Sequence, residues 1–117
     1  MAVKHLDTIF MEPVPAGTKT YRQVLIGPDE APNFALRRFV IEPDGEMPRH
    51  TNTVEHEQFV LKGQAEIGIG NEIFKVKPND VVFIPANVPH YYKVLGNEAF
   101  EFLCVVPNQP DQVELIK

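Results

Sequence analysis

The sequence predicts an all-β protein, a sandwich or barrel of short strands, on three observations. Eleven prolines and seven glycines interrupt β-prone apolar runs at intervals of roughly eight to twelve residues, the spacing of strands joined by tight turns. Gly70-Asn71, set between two such runs, is a hairpin-type turn. Helix signals are weak, at most a short turn in the N-terminal arm or at Asp111-Gln112-Val113.

Taken in order, residues 1–19 read as a leading arm, broken by Pro and Gly from Met11 to Lys19, and residues 20–117 as one domain. A strand over 20–26 is ended by Gly27-Pro28-Asp29, and one over 34–41 by Glu42-Pro43-Asp44-Gly45. Further strands follow around His50 and over 58–61, 65–69, 72–76, 81–84, 91–95 and 99–106.

A chain of 117 residues is long enough to bury roughly two-thirds of its unfolded surface in a single core. Its 44% hydrophobic and 23% charged residues are ordinary for a globular domain. The net charge of −5 argues against nucleic acid as a partner, since phosphate binding needs a basic face. A single cysteine, Cys104, excludes an internal disulfide and fits a reducing compartment. The N-terminus lacks an apolar core and no run approaches the length that spans a bilayer. The expectation is a cytoplasmic protein without a membrane partner.

Chemistry concentrates in Gly45 to Gly63. Residues two apart on a strand point the same way, so His50 and Asn52 can aim at one point. His56 follows a short break and can meet them from a neighbouring strand, and His90 opens a third strand after the turn Pro85-Ala86-Asn87-Val88-Pro89. Imidazole is the commonest protein ligand for borderline divalent metals, and three from separate strands leave positions open for water, substrate or dioxygen. The alternative is three unrelated surface histidines. His5 sits in a polar terminal segment and reads as solvated.

Gly45, His50, Asn52, His56 and Gly63 stand in the order of the first cupin motif, and Asn79 to His90, with Pro85, resembles the second. The resemblance extends from about Val24 to Pro107 and is nearest to small single-domain cupins with a four-histidine manganese site. It implies a jelly-roll β-barrel (a double-stranded β-helix), one divalent metal on His50, His56 and His90, and a homodimer. Asn52 replaces a histidine of that subgroup, and is expected as fourth ligand or hydrogen-bonding neighbour. Its amide oxygen suits Mn or Fe better than Zn, Ni or Cu. Glu57 would take the place of His56 if the break slipped by one residue. Asn79 and Asn87 replace two motif glycines, and Asn is the other residue that best tolerates positive φ.

Strand parity gives a pocket lining. His90 inward turns Tyr92 inward and Tyr91 outward, and a costly unpaired glutamate at Glu101 sets Phe102, Cys104 and Val106 on the inner face of the last strand. Arg37 and Arg38 are adjacent, so one faces the barrel; parity cannot choose, and alignment with related cupins favours Arg37 as a handle for a substrate carboxylate or enolate. No nucleophile elbow, phosphate-cradling loop or Cys-x-x-Cys pair is present. Three neutral imidazoles suit chelation of an enolate or diketone, so the first expectation is a dioxygenase-type oxidoreductase acting on a small oxygenated molecule. The alternatives are a metal-dependent isomerase or lyase, and a noncatalytic small-ligand-binding protein.

Overall fold

A computed structural model describes residues 2–116. The chain forms one curled sheet of ten antiparallel strands, the cupin jelly-roll barrel expected from the motif order. The strands are β1 (Glu12–Pro13), β2 (Thr18–Ile26), β3 (Phe34–Thr51), β4 (His56–Lys62), β5 (Gln64–Ile69), β6 (Glu72–Val76), β7 (Val81–Ile84), β8 (His90–Leu95), β9 (Phe100–Pro107) and β10 (Glu114–Leu115). A 3-10 turn, Leu6–Thr8, lies in the arm, and there His5 is exposed.

Each half of the barrel closes on β3. Its first half, to Ile41, pairs with β2 on one side and β9 on the other. Beyond the corner it pairs with β8 and β10. Outward from these, β9 leads to β4 and β7, and β8 to β5 and β6.

The strand expected to stop at Glu42-Pro43-Asp44-Gly45 instead runs through it. Asp44 takes φ of +68°, and a Cβ on Gly45 would lie 2.7 Å from the Thr18 carbonyl. One left-handed residue followed by one without a side chain turns the corner without ending the strand. Of the two places where a short turn could stand, the arm holds one, whereas residues 111–113 form none and lead into β10 on β3. Asn79 and Asn87 do adopt the left-handed backbone, with φ of +77° and +66°.

Alternation builds the core. In β9, Phe100, Phe102, Cys104 and Val106 are buried while their neighbours are half-exposed; in β4, His56, Gln58 and Val60 are buried and Glu57 and Phe59 exposed. Ile41, Val60, Ile67, Ile84 and Phe100 fill the centre. The arm adds itself to this frame through β1 on β2, with Arg22 and Glu12 paired at 2.7 Å.

Gly63 links β4 to β5 at φ of +78°, and an added Cβ would lie 2.2 Å from the Ala99 carbonyl oxygen. Gly63→Ala is therefore expected to lower unfolding stability by about 2 kcal/mol or more, read from urea denaturation of both proteins.

Candidate metal centre

Four buried polar side chains meet at strand ends on one side of the barrel. His50 and His90 are register partners on β3 and β8, with ring centroids 4.2 Å apart. His56, the first residue of β4, stands 5.7 Å from His90. Asn52 follows β3 directly, and all four are 6% exposed or less. Glu57 points outward, so the inward place in β4 belongs to His56. Among the described residues no group of three or more His, Cys, Asp or Glu side chains is placed to hold a metal ion as it stands; the rings converge without closing.

Hydrogen bonds nevertheless fix which atoms face the centre. His50 Nδ1 lies 2.8 Å from the Pro48 carbonyl oxygen and His90 Nδ1 3.0 Å from that of Val88. A carbonyl only accepts, so each Nδ1 carries the proton and each Nε2 keeps its lone pair. Asn52 Nδ2 donates to Asp111 Oδ2 at 3.0 Å, which turns its Oδ1 the other way. That Oδ1 and His56 Nε2 are buried without a hydrogen-bond partner. A buried unpaired polar atom costs about 1–3 kcal/mol; with the His56 proton on Nδ1, both would be acceptors beside two free imidazole lone pairs, a donor set of the kind that divalent cations take. His56 as a ligand would donate its Nδ1–H to Cys104 Sγ, 3.1 Å away.

Burial pushes the His56 imidazole down to about 3, helped by the Arg37 guanidinium and the other two rings. Burial also brings His90 down to about 4 and lowers His50. All three imidazoles are neutral at pH 7, the form that donates a lone pair.

The centre forms one end of a cavity of about 310 Å³ walled by Phe39, Ile41, Met47, Tyr92 and Phe102, with Val14 to Ala16 of the arm and Val113 at its rim. Phe39 stacks on Phe102, centroids 5.2 Å apart, and Phe102 on Tyr92 at 5.1 Å. Gln58 donates to the Tyr92 hydroxyl at 2.7 Å. Arg37 lines the cavity, whereas Arg38 bonds Gln23 at 2.6 Å and pairs with Glu101.

Of the residues the sequence pointed to, Arg37, Tyr92 and Phe102 reach the cavity. Cys104, fully buried, stands behind His56 and Arg37. Val106 lines a second, adjoining hollow with Val24, Ala35 and Val54, which shares Arg37 and Asp111 with the first: parity assigns a face but does not say which hollow the side chain meets. Sequence reasoning missed Gln58 and Asp111. Gln58 is two residues from His56 on one strand, so parity could have found it; nothing in the local sequence ties Asp111 to Asn52.

Fold and site together define a β-barrel protein with an inward cluster of neutral imidazoles at one end of an apolar cavity. The chain belongs to the cupin domain family, whose pattern matches residues 37–106. It is 31% identical over 80 residues to 1-methylthio-D-xylulose 5-phosphate methylsulfurylase of Rhodospirillum rubrum, covering 68% of this chain and 51% of that protein. The chain spans about half the length of the curated relatives it matches or less. Among solved structures, the polyketide cyclase RemF from Streptomyces resistomycificus superposes with a TM-score of 0.91 at 30% identity, over 100% of this chain and 86% of that one. A cupin-2 domain of Rhodospirillum rubrum, at 24% identity and TM-score 0.87 over 99% and 80% of the two chains, shares the fold.

The depressed imidazoles set a pH dependence for the metal-free protein. Unfolded, each histidine takes up its proton near 6.5; folded, His56 and His90 do so only near 3 and 4. The unfolded state therefore binds more protons once pH falls below about 6.5, and stability complete at pH 7 drains away towards pH 4. Denaturant titrations of chelator-treated protein should lose about 1–2 kcal/mol per histidine between pH 7 and 5. Equal stability at the two pH values would contradict the burial of these rings in neutral form.

Proposed function

We propose that this cupin is a metal-dependent enzyme acting on a small oxygenated organic molecule, with one divalent ion held by His50, His56, His90 and Asn52. The observation that carries the reading is the pair of buried, unpartnered polar atoms, Asn52 Oδ1 and His56 Nε2, beside two imidazoles whose Nδ1 protons are already committed to carbonyls. An amide oxygen among the donors favours Mn or Fe over Zn, Ni or Cu. Bound there, the ion supplies Lewis-acid polarisation of a carbonyl or enol oxygen.

The rest of the work falls to the chain. The stacked Phe39, Phe102 and Tyr92 rings form an apolar aromatic wall against which a conjugated ligand can pack. Burial raises the Tyr92 phenol and outweighs the opposing pull of the Gln58 amide that donates into its oxygen, so Tyr92 keeps its proton and can donate it to a ligand oxygen. The arm residues Val14 to Ala16, together with Val113, narrow the mouth against water. Asp111 touches both Asn52 and the Thr53 amide and so holds the amide oxygen inward.

Similarity to a polyketide cyclase along the whole chain supports a non-redox reaction in which an enolisable dicarbonyl is polarised for carbon–carbon bond making or breaking. The dioxygenase reading is favoured by the donor set itself: four uncharged ligands leave positions for both substrate and dioxygen. Turnover of a β-diketone panel under argon separates them. A rate unchanged without oxygen supports the first reading, and a rate abolished supports the second.

Protein purified without chelator is expected to carry about one Mn or Fe per chain, and His90→Ala almost none, by elemental analysis. Asn52→Ala and Asp111→Ala should each weaken Mn(II) affinity about 10- to 100-fold with the fold retained. Undiminished affinity in Asp111→Ala would remove the role given to its hydrogen bond.

A further inference from the structure

The cavity holds a cation, Arg37, that no carboxylate among the described residues pairs with. Arg37 enters from β3, with its guanidinium carbon 5.0 Å from the Phe39 ring centroid. Its Nη2 makes two long contacts, 3.4 Å to His56 Nδ1 and 3.4 Å to Cys104 Sγ, and its Nε is buried with no acceptor. The other arginines beside it are matched: Arg22 with Glu12 and Arg38 with Glu101. Asp111, the one carboxylate on the cavity wall, is engaged by Asn52 and Thr53.

A half-buried guanidinium whose Nε is out of water and without an acceptor is satisfied by an anion, and its planar fork matches a carboxylate through two parallel N–H donors. Arg37 lines the same cavity as the Phe39, Phe102 and Tyr92 stack, so an acid held by it sets the rest of its body against an aromatic wall. With a single unmatched cation, the site suits one carboxylate rather than a phosphate, for which several donors usually converge.

We propose that the ligand of this cavity is a small carboxylic acid with a flat, unsaturated body, its carboxylate held by Arg37. This deepens the functional reading above and rests on the cavity being a small-molecule site, but not on metal binding. Arg37 is here a binding and specificity residue, selecting the acid over its uncharged isostere.

Calorimetric titration of chelator-treated protein at pH 7.5 with benzoate and benzamide, equal in shape and different in charge, tests it. Benzoate is expected to bind about tenfold or more tighter than benzamide. Arg37→Gln should abolish that preference and Arg37→Lys retain part of it. Arg38→Gln, with the same charge change one residue away and outside the cavity, should keep it in full. Melting curves establish that each variant is folded. Equal binding of the two ligands, binding of neither, or a preference that survives in folded Arg37→Gln overturns the proposal. Acid preference in a protein that takes up no Mn(II) leaves this proposal standing and removes the metal reading. Uptake of Mn(II) without acid preference does the reverse.

Discussion

The eighteen residues of β3 are paired on both sides in two different neighbourhoods, and the site depends on that continuity. Before the corner, β3 is clamped between β2 and β9, which sets Arg37 opposite Cys104. After it, pairing to β8 sets His50 opposite His90. The left-handed Asp44 and the side-chain-free Gly45 let one strand serve both. Two separate strands joined by a loop would leave the guanidinium and the imidazoles to two independently placed segments. A single bent strand fixes them relative to each other through ladder hydrogen bonds.

Polar groups inside an apolar barrel are costly, and their arrangement here follows from how each is satisfied. His50 and His90 use the same local solution, a proton donated to the carbonyl two residues earlier. Asn52 uses a distant one, Asp111 from the C-terminal segment that β10 ties to β3. Each solution occupies one end of its side chain and leaves the other towards the common centre. The atoms left unpaired, Asn52 Oδ1, His56 Nε2 and Arg37 Nε, therefore cluster around the centre instead of being scattered through the core. The first is an acceptor, and the second becomes one when the His56 proton sits on Nδ1, which is the basis of the cation site proposed above. The third is a donor that calls for an anion, and the distance between these demands is short, because Arg37 touches His56.

Electrostatics sharpen the same picture. Burial holds three imidazoles neutral, so the ring donors add no negative charge to the centre, and Asp111, a single carboxylate, stands at its edge. Arg37 adds a positive charge on the other side. The side of His56 that Arg37 touches thus favours anions, although the chain as a whole carries a net charge of −5. Local desolvation outweighs the distant surface carboxylates, whose fields are screened by water and salt.

Much of this protein was legible in the chain itself. Alternating apolar residues, tight-turn glycines and regularly spaced prolines determined an all-β barrel, because period-two burial and turn chemistry are local properties. The order of Gly45, His50, Asn52, His56, Gly63 and His90 determined membership of the cupin family, and parity set Tyr92, Phe102 and Cys104 on the inner face. Tertiary structure alone decided the rest. Whether Arg37 or Arg38 enters the barrel turns on the pairing of β3 with β2 and β9, which gives Arg38 its partners Gln23 and Glu101. The orientation of the Asn52 amide depends on Asp111, 59 positions away, and the placing of Val106 in the adjoining hollow depends on its neighbours there, Val24, Ala35 and Val54. These are contacts between residues distant in sequence, and no periodicity within a strand encodes which distant partner will occupy the neighbouring place.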